Sequence, residues 1–152
     1  MRSRIDGCHF LDCFAGSGAV GIEALSRGAE KAVFIELDRV AVRIINENLA
    51  HTGLIVPAEV YVSEAVRGIK KLSAKKEQFD LIFLGAPYDS PQLEEALTEL
   101  GGDDLLKRKG FVIAEHRRQH VLAESYGNLV LARETRYGET VLAFYEKSNL
   151  SR

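Results

Sequence analysis

With 152 residues, 46% hydrophobic and 28% charged, the chain has the size and balance of a single globular domain with a sizeable core. A formal net charge of −2 argues against a strongly basic nucleic-acid-binding surface, and no apolar run approaches the ~20 residues that a membrane helix needs. Two cysteines without a histidine pair at ligand spacing point to no metal site, and Met1 to Gly7 lacks the apolar core of a signal peptide, so a cytoplasmic protein is expected.

The chain is organised around Phe10-Leu-Asp-Cys-Phe-Ala-Gly-Ser-Gly-Ala-Val-Gly21, an apolar strand that breaks at glycines and continues as a helix ending at Arg27-Gly28. A strand–glycine turn–helix unit presents backbone N–H groups and a helix N-terminus to a ligand. Gly16, Gly18 and Gly21 also match the G-x-G-x-x-G dinucleotide fingerprint. Two details favour S-adenosylmethionine. Asp12 stands just ahead of the turn, where a carboxylate meets a cationic amino group but repels a pyrophosphate. Phe14 separates the strand from the first glycine. On the loop alone, a methyltransferase, a dinucleotide binder and a plain turn all stay open.

Lys31 to Glu36 reads as a second, buried strand, and Arg39 to Thr52 as a helix whose inner stripe is Val40, Ile44, Ile45 and Leu49, stopped by Gly53. Glu36 lies 20 positions past Gly16, where an acid accepts hydrogen bonds from ribose hydroxyls. Asp38 reads equally as a helix cap. Ala58 to Val62 is a third strand. Ser63 then reads as the cap of a helix carrying Val66, Ile69 and Leu72. At the same place Glu64 is positioned to accept from an adenine amine, and Ala65 to donate a backbone N–H to the ring.

Phe79 to Leu84 is a fourth strand, ended by Gly85-Ala86-Pro87-Tyr88. Ser90-Pro91 opens a helix with Leu93, Ala96, Leu97 and Leu100 inward and Gly101-Gly102 after it. Gly110 precedes a fifth strand, Phe111 to Glu115. Leu129 to Thr135 and Thr140 to Glu146 form a hairpin across Arg136-Tyr137-Gly138-Glu139. Alternating strands and helices predict an α/β fold with a mostly parallel seven-stranded sheet, a C-terminal antiparallel hairpin and helices on both faces. Ligands bind such sheets at the carboxyl tips of strands, near the reversal of strand order. The glycine loop, Glu36 and the Gly85–Tyr88 segment all fall there.

Leu11-Asp-Cys-Phe-Ala-Gly-Ser-Gly18, Phe34-Ile-Glu-Leu-Asp38, Phe79-Asp-Leu-Ile-Phe-Leu84 and the closing Arg136-Tyr-Gly-Glu-Thr140 resemble the bacterial 16S ribosomal RNA guanine-N2 methyltransferases of the RsmD family. The resemblance runs from about Gly7 to Glu146. It implies a Rossmann-like methyltransferase fold, S-adenosylmethionine as cofactor, and a guanine of small-subunit ribosomal RNA, free or in the assembling subunit, as substrate. By position it assigns the methionine end of the cofactor to Asp12, Phe14, Ala15, Gly16, Ser17 and Gly18. It assigns ribose to Glu36, with Leu37 beside it, and adenine to the region of Glu64 and Ala65. A monomer without metal or membrane attachment is expected.

The sequence departs from that family twice. The family's strand-four motif is Asp/Asn-Pro-Pro-Tyr/Phe, and here the catalytic positions hold Gly85, Ala86, Pro87 and Tyr88. That motif directs a guanine amine, whose lone pair is delocalised into the ring, toward the methyl sulfonium while the aromatic ring stacks on the extruded base. With Gly85, only main-chain carbonyls remain, though Tyr88 still stacks. The expectation is a chain that binds cofactor but is catalytically impaired, or that uses another acceptor group. The second departure is at the front, where the family carries an arginine-rich segment and a helix before the first strand. The expectation is one methyltransferase domain over residues 1–152, without that extension, binding RNA weakly. The competing readings are a non-catalytic cofactor- or RNA-binding relic and a small NAD-dependent oxidoreductase.

Overall fold

The computed structural model describes residues 4–148; Met1 to Ser3, the start of the segment searched for a signal sequence, lie outside it. In chain order the elements are β1 (His9–Cys13), α1 (Ala19–Ser26), β2 (Lys31–Glu36), α2 (Arg39–Thr52), β3 (Ala58–Val62) and α3 (Ala65–Ala74). There follow β4 (Phe79–Leu84), α4 (Gln92–Gly102), β5 (Leu106–Arg117), β6 (Ser125–Tyr126), β7 (Leu129–Tyr137) and β8 (Thr140–Lys147). One sheet runs in the order β3-β2-β1-β4-β5-β8-β7-β6. The first five strands in that order are parallel, and β8, β7 and β6 close the sheet with antiparallel pairings. Strand order reverses between β1 and β4, which puts the switch point beside the glycine loop.

Each face carries its own core. On one, α3 and α4 pack Ile69, Leu72, Leu93 and Leu97 over Leu11, Val33, Ile82 and Val112. On the other, α1 and α2 pack Leu25, Ile45 and Leu49 over Phe10, Ala32, Phe34 and Leu81. Helices therefore cover both faces, as the alternating pattern predicts. Among the described residues, no helix is long and apolar enough to cross a membrane.

The sheet has eight strands where the sequence predicts seven. The additional β6 has two residues, too few to show any periodicity. Tertiary contacts place it: the Tyr126 hydroxyl donates to Glu94 Oε1 at 2.5 Å, tying β6 to α4. The far end of α4 also differs from the expectation, since the helix runs through Gly101-Gly102 instead of stopping before them. A Cβ on Gly101 would lie 1.9 Å from the Tyr126 carbonyl oxygen, so this glycine marks a close approach and not a stop. Gly110 likewise sits inside β5, because a Cβ there would lie 2.4 Å from the Asp80 carbonyl, where the β4–β5 register shifts.

The inner stripe of α2 also differs. Ile45 and Leu49 are buried, but Val40 is 58% and Ile44 40% exposed. Ala41, Val42 and Asn48 are half-buried instead. A polar residue inside the seam hides it from a hydrophobicity pattern. The Asn48 amide has its own partner there, the Ser17 carbonyl at 3.0 Å.

Candidate active site at the strand tips

The β1–α1 loop is held from every side. Phe14, Gly16 and Gly18 take φ of +58°, +58° and +81°. That conformation is easy for glycine and uncommon for a bulky aromatic, so Phe14 is held there by its surroundings. Ala15 N–H donates to the Ile35 carbonyl at 3.1 Å, and Gly16 N–H donates to Glu36 Oε1 at 2.7 Å. Gly21 begins the close packing of α1 on the sheet, since a Cβ there would lie 2.4 Å from the Phe34 ring. Gly18 packs in the same way, 3.2 Å from Ile45, whereas a Cβ on Gly16 would meet nothing within 4 Å.

The structure turns Asp12 inward. It is 2% exposed, and its Oδ2 accepts the Gly21 N–H at 3.0 Å. Burial pushes its carboxyl up to about 7; the Gly21 hydrogen bond opposes that rise and the nearby Glu36 charge adds to it. Asp12 thus braces the loop from below and does not line the cavity above it.

That cavity has a volume of about 560 Å³, within the range of small-molecule sites. Phe14 and Gly16 contribute from the glycine loop, Ile35 to Asp38 from the tip of β2, and Ser63 to Val66 from the β3–α3 connection. Gly85 and Pro87 close it from β4, and Gln92 and Glu95 from the first turn of α4. Of the residues expected from sequence, the cavity unites Phe14, Gly16, Glu36, Leu37, Glu64, Ala65, Gly85 and Pro87. Asp12, Ala15, Ser17, Gly18, Ala86 and Tyr88 are not on its wall. Sequence reasoning missed Ile35, Val66, Gln92 and Glu95 as wall residues. For Gln92 and Glu95 the available signal was polar side chains at the start of a helix whose stripe is otherwise apolar.

Glu36 links the loop to the second strand: Oε1 accepts from Gly16, and Oε2 accepts from Asp38 N–H at 2.9 Å. Each oxygen keeps a second lone pair for another donor. Asp38 caps α2 through Val40 N–H at 3.0 Å. Ser63 does not cap α3. Its hydroxyl donates to the Glu64 carbonyl at 2.9 Å, and Glu64 occupies the cap position with no side-chain hydrogen bond to the helix. Glu36, Asp38, Glu64 and Glu95 all line the cavity, and among the described residues no lysine or arginine does. Such a wall suits a ligand with cationic groups and opposes a pyrophosphate. The volume, the aromatic Phe14 and this set of carboxylates fit S-adenosylmethionine.

Beside Pro87, the Tyr88 hydroxyl donates to Glu115 Oε2 at 2.5 Å. The Arg117 guanidinium lies 4.7 Å from the Tyr88 ring centroid and 3.7 Å from Asp89. The phenol is held above its usual range, chiefly by the hydrogen bond to Glu115. Among the described residues, no group of three histidine, cysteine, aspartate or glutamate side chains is placed to hold a metal ion.

The model of the family described as conserved hypothetical protein 95 matches residues 1–146. YlbH of Bacillus subtilis, provisionally named an rRNA methyltransferase, is 40% identical over 142 residues, covering 93% of this chain and 77% of that protein. Ribosomal RNA small subunit methyltransferase D of Escherichia coli is 34% identical over 137 residues, covering 90% and 67%. A solved structure of a conserved hypothetical protein from Streptococcus pyogenes superposes with a TM-score of 0.84 at 31% identity, covering 97% of this chain and 90% of the other. The chain belongs to the conserved hypothetical protein 95 family, the RsmD-like ribosomal RNA methyltransferases.

Proposed function

We propose that the chain transfers a methyl group from S-adenosylmethionine to the exocyclic N2 amine of a guanine in small-subunit ribosomal RNA. The observation that carries this reading is the carboxylate-lined cavity spanning four neighbouring strand tips, in a chain of this family. When bound, S-adenosylmethionine supplies an electrophilic methyl group on a sulfonium. Glu36 accepts hydrogen bonds from the ribose hydroxyls, with Leu37 against the sugar. Glu64 accepts from the adenine amine and Ala65 donates its N–H to the ring. Phe14 and Gly16 meet the amino-acid end from the glycine loop, whose shape Ala15, Ser17 and Gly18 set, while Asp12 keeps that loop in place through Gly21. Gly85, Ala86, Pro87 and Tyr88 form the acceptor side. A main-chain carbonyl of Gly85 or Ala86 accepts one hydrogen of the amine, and Tyr88 stacks on the extruded base.

Calorimetric titration with S-adenosylhomocysteine and NAD tests the cofactor. The thioether product is expected to bind and NAD is not. Glu36→Ala is expected to weaken the product's binding about tenfold or more, because it removes the ribose acceptor and frees the Gly16 and Asp38 N–H groups. Incubation with small-subunit ribosomal RNA and labelled cofactor, followed by nucleoside mass spectrometry, is expected to yield N2-methylguanosine. Label on another nucleoside would overturn the assigned acceptor. Cofactor binding with no transfer in a single turnover would favour the non-catalytic reading that Gly85 suggests.

A further inference from the structure

We propose that Glu115 holds the acceptor amine, supplying from β5 a carboxylate that β4 does not provide at Gly85. The proposal rests on the methyltransferase reading above. A purine amine has its lone pair in the ring π-system, and acceptors that draw its two hydrogens out of the ring plane are needed to turn that lone pair toward the methyl group. At the tip of β4 the chain offers main-chain carbonyls and no acceptor side chain at position 85.

The sheet register shows where such a side chain stands. Phe83 pairs with Ile113, and Leu84 with Ala114. One step further along the same parallel register, Gly85 falls beside Glu115, on strands about 4.8 Å apart. Gly85 lies just past the end of β4, and its N–H still donates to the Cys13 carbonyl of β1 at 3.3 Å. Gly85 and Glu115 each lie two residues beyond a member of one face, Phe83 and Ile113. A Cβ built on Gly85 would come within 3.0 Å of the Phe83 ring, which confirms the side. A carboxylate at position 85 would therefore project from the same face and edge as Glu115.

Glu115 is also fixed. Tyr88 donates to it at 2.5 Å, and Arg117 covers the Tyr88 ring. Tyr88 uses one of the roughly four lone-pair sites of the carboxylate, which leaves it open to an amine N–H. Its register neighbour Gly85 and its hydrogen-bond partner's neighbour Pro87 both line the cavity.

Equilibrium binding of guanosine and inosine 5′-monophosphates, followed by NMR titration, tests this without turnover, because inosine differs only in lacking the amine. The wild-type chain is expected to favour the guanosine nucleotide about tenfold. Glu115→Ala is expected to bring the ratio near one, and Glu115→Gln, which keeps an acceptor oxygen, to retain part of it. Gly85→Asp in the Glu115→Ala background is expected to restore the preference and to recover a roughly 10²-fold loss of kcat on small-subunit ribosomal RNA. A merely structural role for Glu115 would not be rescued by a carboxylate on the next strand. Equal binding of the two nucleotides by wild type, binding of neither, an unchanged ratio in Glu115→Ala, or no rescue by Gly85→Asp would each overturn the proposal. S-adenosylhomocysteine affinity, measured in parallel, is expected to stay within about twofold in Glu115→Ala and Glu115→Gln, since Glu115 is not on the wall of the cofactor cavity. If wild type fails to bind that ligand, the cofactor reading falls, and the nucleotide ratio still decides the role of Glu115.

Discussion

Asp12 stands two residues before Phe14, yet its carboxylate is buried and bonded to Gly21. An acid at the end of an apolar strand reads the same in sequence whether it meets a ligand or braces the loop. The cue that separates the two is Gly21, whose missing Cβ lets α1 approach Phe34 and brings its N–H to Asp12. A carboxyl held at about 7 when folded, against 3.8 as its ordinary value, keeps its proton longer in the folded chain. Stability is therefore lost as pH rises through that window, and the full cost is present above pH 7. Asp12→Asn keeps an acceptor for Gly21 and removes the charge. Urea midpoints at pH 5 and pH 8 are expected to show the variant gaining on the order of 3 kcal/mol relative to wild type between the two. Parallel pH dependences in the two proteins would show that burial does not raise this group.

At the scale of elements, the hinge of the C-terminal half is the contact between α4 and β6. A Cβ on Gly101 would collide with the Tyr126 main chain, which cannot rotate away as a side chain does. Gly101→Ala is expected to cost about 2–3 kcal/mol by overpacking. Its neighbour Gly102 is exposed with nothing within 4 Å, so Gly102→Ala is expected to be neutral or to stabilise by about 0.5 kcal/mol. Urea denaturation of the two variants distinguishes them, and equal effects would refute the close approach. These glycines show where sequence reading stops. Strands β1 to β4 were legible because each is a short, mostly apolar run between turn signals, and α3 and α4 because Ile69, Leu72, Leu93 and Leu97 repeat at helical spacing. A glycine at a helix end, however, reads as a stop whether it ends the helix or admits another backbone. The strand-tip acids and the glycine loop were legible because the topology gathers them. Gln92, Glu95 and Asn48 were not, because each is a polar residue on a helix, and only packing decides which way it faces.

For the whole molecule, a net charge of −2 leaves no room for a uniformly basic RNA face, so any grip on RNA depends on where the cations sit. The fold divides them. Helix α3 runs back from the tips of the parallel strands and carries Lys70 and Lys71 with it, and Lys75 follows at its C-cap. Lys70 lies 3.9 Å from Glu99, and Lys71 and Lys75 lie over the Tyr61 ring. Arg118 and Arg136 are exposed at the opposite end, where β5 finishes and the β7–β8 hairpin turns through Gly138, at φ +60°. Thr140 pairs with Arg117, and Arg118 N–H donates to the Glu139 carbonyl at 2.8 Å, so that hairpin turn flanks the carboxyl tips that build the cavity. Phosphates of a bound acceptor strand would meet these arginines and not the α3 lysines. In filter-binding titrations on small-subunit ribosomal RNA, Arg118→Ala with Arg136→Ala is expected to lower the slope of log affinity against log salt by about 1.4–1.8, at ~0.7–0.9 per phosphate contact. Lys70→Ala with Lys71→Ala is expected to leave that slope unchanged within about 0.5. The reverse pattern would move the RNA path from the strand tips to the α3 flank, and would separate RNA binding from the site at which the acceptor amine is held.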